Sequence, residues 1–215
     1  LALTNTGAIT NSRVGDTIVA RISESGVQSS EQLHKFVLFG QDQIAGFVLE
    51  NNGIISSSYA KNIQIVNNST FLEDNISSGF VQVNFAGAKI MASFVEGVES
   101  YIDDDVYVLG EGIESSGLVA GFVYSNNALI QDCYSNIKLY KETSVNDTAG
   151  TRSSGFAFIN EAEGENVSSL SFSKILEENV SQTYFIGVDD KNEHQNKGLV
   201  RYSYYYSPNG RVENT

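Results

Sequence analysis

The chain has 215 residues, of which 13 are Lys or Arg and 26 are Asp or Glu, so its formal net charge is −13. This acidic balance predicts no nucleic-acid partner, because such a partner requires a basic face that neutralises phosphates. Hydrophobic residues make up 41% of the chain, which is enough for a packed core. No apolar run approaches the ~18 residues of a membrane-spanning helix, so we expect no membrane insertion of this segment.

Taking the chain from its first residue, an internal repeat becomes visible at Ala45. Residues 45–59 match residues 120–134, and three weaker copies are also present. The five copies begin 33, 42, 34 and 32 residues apart along the chain. The leading glycines of these copies are Gly46, Gly79, Gly121, Gly155 and Gly187. An asparagine follows each of them five positions later, namely Asn51, Asn84, Asn126, Asn160 and Asn192. The spacing predicts repeat units near 1–45, 46–78, 79–120, 121–154, 155–186 and 187–215, in what we expect to be part of a longer chain.

Each unit carries strand and turn signals in a fixed order. Residues 46–49 are apolar, residues 51–53 form a turn tripeptide, and residues 54–60 and 62–66 give two loosely alternating runs. Three short strands in about 35 residues are typical of one coil of a parallel β-helix, which must stack on the next coil to bury its apolar face. We therefore predict an all-β parallel β-helix, or β-solenoid, of five to six coils of roughly 32–46 residues. A sandwich of hairpins is the alternative.

Stacked coils place equivalent side chains about 4.8 Å apart, so identical residues form ladders. The position after each leading glycine would form an interior column of Leu1, Phe47, Phe80, Phe122, Phe156 and Val188. The repeated asparagines would bond their own backbone and pair amide to amide with the next coil. The glycines would allow a corner at which a Cβ atom would clash.

The repeat resembles the GLUG motif over essentially the whole chain, most closely at Ala45-Gly46-Phe47-Val48 with Asn51-Asn52-Gly53 and Ser58-Tyr59-Ala60, and at Ala120-Gly121-Phe122-Val123 with Asn126 and Cys133-Tyr134-Ser135. Such repeats occur in bacterial surface and secreted proteins, including adhesin-like molecules and the non-catalytic region of IgA-cleaving metallopeptidases. The resemblance implies a right-handed β-helix at the cell surface or in the extracellular space. It specifies no ligand.

Two stretches depart from the repeat. Residues 20–44 are longer than a normal third strand, and residues 30–36 favour a short helical excursion in which Phe36 has no ladder partner. Extra residues near 98–111 include Asp103, Asp104 and Asp105, which we treat as possible binding residues because loops extruded from a solenoid often bind.

Catalytic and metal-binding chemistry has few candidates. The only histidines are His34 and His194, so a His-Glu-x-x-His zinc site is absent and we expect no enzyme activity and no cofactor. Calcium is possible at Asp103–Asp105 or at Asp189–Asp190, since it prefers several oxygen ligands. The alternative is that these acidic turn residues keep the strands soluble.

The tyrosines near the C-terminus have two interpretations. Tyr202 and Tyr204, with Tyr205 and Tyr206, could form a recognition platform, or they could cap the end of the coil with Tyr205 on the opposite face from the other three. Cys133 is the only cysteine and has no disulfide partner. It aligns with Ser58, Ser93, Ser171 and Ser203, which predicts a small-residue ladder position inside the coil.

Three functions fit these observations. The first is a non-catalytic adhesive or structural stalk of a bacterial surface or secreted protein, whose partner would be a protein or glycan of a host or neighbouring cell. The second is an accessory region of a large secreted protease or glycan-active enzyme. The third is an extracellular filament subunit that associates end to end.

Overall fold

The computed structural model describes residues 2–15, 36–40, 42–67, 75–97, 101–103, 106–108, 112–115, 117–141, 153–176, 185–187, 195–206 and 212–214. Over these residues the chain forms strands and no helix. The strands are β1 (Ala2–Asn5), β2 (Ala8–Thr10), β3 (Arg13–Val14), β4 (Phe36–Gly40), β5 (Gln43–Ala45), β6 (Val48–Asn51), β7 (Ile54–Ser56), β8 (Tyr59–Asn67), β9 (Ile76–Ser78), β10 (Val81–Asn84), β11 (Lys89–Met91), β12 (Phe94–Gly97), β13 (Tyr101–Asp103), β14 (Val106–Val108), β15 (Ile113–Ser115), β16 (Leu118–Ala120), β17 (Val123–Asn126), β18 (Leu129–Gln131), β19 (Tyr134–Asn136), β20 (Lys138–Lys141), β21 (Ser153–Ser154), β22 (Ala157–Asn160), β23 (Glu165–Val167), β24 (Leu170–Ser171), β25 (Lys174–Leu176), β26 (Leu199–Arg201), β27 (Tyr204–Tyr206) and β28 (Val212–Asn214).

These strands build four large sheets, which the chain visits in a repeating order. Sheet A is β1-β6-β10-β17-β22, sheet B is β2-β7-β11-β18-β23-β26, and sheet D is β5-β9-β16-β21. Sheet C runs β25-β20-β15-β8-β12-β19-β24-β27-β28, and β3 and β4 both pair with β8. Among the described strands, only the pairs β13–β14 and β27–β28 are antiparallel. The all-β prediction with parallel sheets is confirmed, and the sheets are arranged as in a β-solenoid.

The prediction of three strands in each unit was wrong. Four strands, β6 to β9, lie between Gly46 and Gly79, and five, β17 to β21, lie between Gly121 and Gly155. The sequence pattern does not reveal the strands of sheet D, because they are short and polar, as in Ile76-Ser77-Ser78. Three residues are too few to show an alternation of apolar and polar side chains.

A column of phenylalanines fills the interior between the sheets. The ring centroids of Phe47 and Phe80 are 4.6 Å apart, those of Phe80 and Phe122 are 4.9 Å apart, and those of Phe122 and Phe156 are 4.8 Å apart. All four rings are fully buried. A Cβ atom added to Gly46, Gly79 or Gly121 would collide with the carbonyl oxygen of the next leading glycine, so these positions require glycine for close approach of the backbones.

A row of asparagine carboxamides runs parallel to that column. Each Nδ2 donates to the Oδ1 of the asparagine in the next repeat, at 2.8 Å from Asn5 to Asn51, from Asn51 to Asn84 and from Asn84 to Asn126, and at 3.0 Å from Asn126 to Asn160. All five side chains are buried. We call this row the asparagine ladder. It satisfies buried amide groups that would otherwise destabilise the core.

The predicted register fails at the last repeat. Phe185, rather than Val188, stacks on Phe156 with centroids 4.5 Å apart, and Ile186 pairs with Ala157. Gly187 therefore lies two positions beyond the column residue Phe185, opposite Phe158, and is not a leading glycine. Asn192, like Leu1 and Val188, lies outside the described residues, and Asn196 occupies the ladder by accepting from Asn160 at 2.8 Å.

The corner that follows sheet B is a second repeated element. In six successive repeats one residue there has φ between 46° and 54°: Asn11, Ser57, Ala92, Asp132, Ser168 and Tyr202. The next residue is small and donates from its side chain to the carbonyl two positions back, as Ser58 does to Ser56 at 2.8 Å and Ser93 to Met91 at 2.8 Å. This bond holds a left-handed backbone that non-glycine residues otherwise rarely adopt.

The first departure from the repeat adds a strand to sheet C, and the second contains a separate two-stranded sheet. Residues 30–35 lie outside the described chain, but Phe36 begins β4 and pairs with Ile63. The expectation that Phe36 lies in a helical excursion without a ladder partner was therefore wrong. The extra residues near 98–111 include the antiparallel hairpin β13–β14, in which Asp103 pairs with Val106.

The phenylalanine column yields a stability prediction. Replacing Phe122 by Ala removes a ring buried between two others, and we expect a loss of about 3–5 kcal/mol because the transfer and cavity terms add. Phe36→Ala is the matched control, because its ring is 43% exposed on an outer strand, and it should cost about 1 kcal/mol. Urea unfolding measures both. Equal, small losses would contradict the interior column.

Candidate functional site

The outward side of sheet C carries a second aromatic row. The rings of Tyr59 and Phe94 have centroids 4.8 Å apart, those of Phe94 and Tyr134 are 4.7 Å apart, and their planes differ by 5° and 4°. Strand pairing continues the row to Leu170 and Tyr204. All five side chains are partly exposed to solvent. We call this row the outer ladder, and it is the candidate functional site.

The corner after sheet B positions the outer ladder. The small residue that closes the left-handed turn points inward, and the residue after it is the first of the next strand and points outward. Ser58 precedes Tyr59, Ser93 precedes Phe94 and Cys133 precedes Tyr134 in this way. Because strand pairing holds successive repeats in register, each outward ring stacks on the ring of the next repeat.

A carboxylate with two partners lies beside these rings. Glu96 accepts a hydrogen bond from the Tyr134 hydroxyl at 2.6 Å through Oε1, and its Oε2 lies 2.9 Å from Lys61 Nζ. Burial, followed by the hydrogen bond and the charge of Glu96, raises the pKa of Tyr134 above its ordinary value. The phenol therefore stays neutral at physiological pH, and Lys61, Glu96 and Tyr134 form a locally neutral cluster that joins three successive repeats.

Stacking determines which part of each ring a partner meets. The faces of Phe94 are covered by Tyr59 on one side and by Tyr134 on the other, so the edge of its ring is what remains open. Ring faces carry partial negative charge and ring edges partial positive charge. The outer ladder therefore presents apolar, weakly positive edges, and a sugar ring cannot stack on the covered faces of Phe94.

The predicted binding tyrosines belong to two different positions. Tyr202 occupies the left-handed corner and is 74% exposed, whereas Tyr204 is in register with the outer ladder. Tyr205 packs against the core. The alternation expected for Tyr202, Tyr204 and Tyr206 fails at Tyr202, because that residue lies in the corner before the strand.

The acidic and histidine candidates are not brought together by the described part of the fold. Asp103 is in β13, while Asp104, Asp105, Asp189, Asp190, His34 and His194 lie outside the described residues. Among the residues with described side chains, no group of three His, Cys, Asp or Glu is placed to hold a metal ion.

Cys133 occupies the small-residue corner position. Its thiol donates to the Gln131 carbonyl at 3.1 Å, and its N–H donates to the Ser169 hydroxyl at 3.4 Å. Burial raises the pKa of this thiol to about 12. Ser169 is thus the corner residue of the next repeat, and the alignment of Cys133 with Ser171 was wrong by two positions.

Comparison with protein-family models, with curated proteins and with solved structures finds no match for this chain. Among the described residues, no helix has the length and apolar character needed to cross a membrane.

The raised pKa of Tyr134 makes stability depend on pH. A raised pKa in the folded state stabilises the protein fully below the ordinary tyrosine value of about 10, and this stabilisation is lost as the pH rises towards the higher value of the folded state. Tyr134→Phe lacks the ionisable group. The urea midpoint of the wild type should therefore fall relative to that of Tyr134→Phe between pH 9 and pH 11. A constant difference over this range would contradict the assignment.

Proposed function

We propose that this protein is a non-catalytic right-handed β-solenoid of about six coils that acts as an adhesive or structural region outside a bacterial cell. The resemblance to the GLUG motif favours that handedness and location. The parallel sheets, the asparagine ladder and the six left-handed corners support a stack of coils. Because the described residues contain six left-handed corners, one for each coil, we favour six coils over five.

The outer ladder carries the adhesive part of this proposal. It aligns partly exposed tyrosine, phenylalanine and leucine side chains from five coils on one face, with the ordered Glu96 cluster beside them. Tyrosine and phenylalanine are enriched in protein interfaces because they bury a large area at a low cost in conformational entropy. Since the ring edges rather than the ring faces are open, the ladder favours a surface protein over a glycan as the partner.

Adhesion is tested with beads that carry the 215-residue protein on cultured epithelial cells under flow. We expect more of these beads than of albumin-coated beads to be retained on the cells. We also expect this excess retention to disappear after the cells are treated with trypsin. Loss after mild periodate treatment alone would identify a glycan partner and would contradict the argument from ring edges. Retention no higher than that of albumin beads on several cell types would contradict adhesion.

A matched pair of variants locates the contact. Phe94→Ser removes the central ring of the outer ladder, and we expect retention to fall about tenfold, as for the loss of about 1.4 kcal/mol at an interface hot spot. Phe172→Ser is the control, because this ring is 43% exposed but lies two residues beyond the outer-ladder residue Leu170. Equal retention of both variants would place the adhesive contact elsewhere. Urea unfolding verifies that both variants are folded.

A further inference from the structure

The outward side of sheet B is a face made of two rows of side chains. The central residues of its strands, such as Ile55, Ile90 and Ile130, are fully buried, so the residues on either side of them point towards solvent. In strand order, the first row is Ile54, Lys89, Leu129, Glu165 and Leu199, and the second row is Ser56, Met91, Gln131, Val167 and Arg201. All ten side chains are at least partly exposed. We call these ten residues the B face.

The B face does not share the acidity of the whole chain. The chain has a formal net charge of −13, whereas the B face carries one carboxylate, Glu165, and two cations, Lys89 and Arg201. Half of its residues are apolar, namely Ile54, Met91, Leu129, Val167 and Leu199. A second copy of this protein can therefore approach the B face without the repulsion that acts between like-charged surfaces.

The first row carries opposite charges at equal distances from its middle. Lys89 lies one strand before Leu129 and Glu165 lies one strand after it, so each is about 4.8 Å from Leu129 across the sheet. Both charged side chains are exposed, and neither makes an ion pair with another of the described residues. Reversing the order lysine, leucine, glutamate places each charge where its opposite was, so the row is complementary to a reversed copy of itself.

A two-fold axis that runs along β18 makes use of this order. It sets a second copy face to face with the first, reverses the order of its repeats and keeps its strands in the same direction, which is the aligned class of sheet packing. Lys89 of each copy then lies opposite Glu165 of the other, and Leu129 lies opposite its own counterpart. In the second row Met91 lies opposite Val167. Sheets that pack face to face are about 10 Å apart, a gap that a lysine and a glutamate side chain span together.

The other face-to-face arrangement lacks this match. A two-fold axis along the stack of repeats would place Lys89 opposite Met91 and Glu165 opposite Val167, so no charge would meet its opposite. The axis along β18 has one unfavourable feature. It brings Asp132, the exposed corner residue directly after β18, near its own counterpart.

We propose that the B face binds a second copy of this protein, with the two solenoids antiparallel and related by the two-fold axis along β18. The contact is isologous and therefore closes as a dimer. Five strands of three residues give a face of roughly 24 by 10 Å, which is well below the ~800 Å² that each partner of a stable complex buries, so the dimer is weak. The contact uses only residues between Ile54 and Arg201, whatever precedes or follows them in the chain. It lies on a different sheet from the outer ladder and does not depend on the adhesive role.

Sedimentation equilibrium of the 215-residue protein measures this dimer. We expect the weight-average mass to rise from that of the monomer towards twice that value between about 10 μM and about 1 mM protein, as for a small contact. A mass that stays at the monomer value over this range would overturn the proposal. A mass that exceeds twice the monomer value would also overturn it, because it would reveal an open, heterologous contact.

Two charge reversals test the arrangement of the copies. Lys89→Glu and Glu165→Lys each turn both attractive contacts of the dimer into repulsive ones, and each should raise the dissociation constant at least about tenfold. An equimolar mixture of the two variants should associate again, because in the mixed dimer each reversed side chain faces its opposite. A mixture that associates no better than either variant alone would contradict the two-fold axis along β18.

Matched variants separate this contact from the effect of net charge. Lys138→Glu changes the net charge as Lys89→Glu does, but on sheet C, and it should leave the dissociation constant unchanged. An equal loss of association in both variants would overturn the proposal. Asp132→Asn removes the like charges near the axis and should strengthen the dimer, whereas a weaker dimer would contradict the axis. If a reversal unfolds the chain, as circular dichroism would reveal, Leu129→Asp replaces it and should abolish the dimer, because this position meets its counterpart at the axis.

Discussion

The asparagine ladder is the interaction on which the rest of the structure depends. A buried carboxamide is costly unless its donor and acceptor are both used, and in this ladder each Nδ2 donates to the next repeat while each Oδ1 accepts from the preceding one, as at Asn84. That arrangement fixes the register of sheets A and B and permits the phenylalanine rings beside it to stack at 4.5–4.9 Å. Additional chain must leave the stack before the next asparagine, as the hairpin β13–β14 does between Asn84 and Asn126.

The same register produces the outer face. Each left-handed corner is closed by a small side chain, and the chain then enters sheet C with its first residue pointing outward. Strand pairing therefore aligns one side chain from each of five successive repeats. A surface of this kind is built from strand pairing rather than from flexible segments, which suits an adhesive or structural role. The Glu96 cluster adds a bond between coils at the solvent-facing side.

The sequence was sufficient for the interior and insufficient for the surface. Glycine, phenylalanine and asparagine recur at a fixed spacing from one another within the repeats, because close backbone approach, stacking and amide pairing each accept one residue type. The corner accepts Asn, Ser, Ala, Asp or Tyr, and the outer ladder accepts Tyr, Phe or Leu, so residue identity does not reveal either. The sequence does contain one signal for the outer ladder. It is a small residue followed directly by an aromatic residue, which lies eight to ten positions after the asparagine of the same repeat. Gly187 and Asn192 reproduced the spacing by coincidence, because additional residues separate Phe185 from Asn196 in the last coil.

Side-chain amide NMR tests the central claim most directly. The Nδ2 hydrogens of Asn84 and Asn126 should be strongly protected against exchange with D₂O, because each donates to a buried carbonyl group in the neighbouring coil. Those of Asn136, which is exposed on sheet C, provide the unprotected reference in the same spectrum. Protection of the ladder amides by several orders of magnitude relative to Asn136 is expected. Exchange of Asn84 and Asn126 at the rate of Asn136 would contradict the ladder and the register that depends on it.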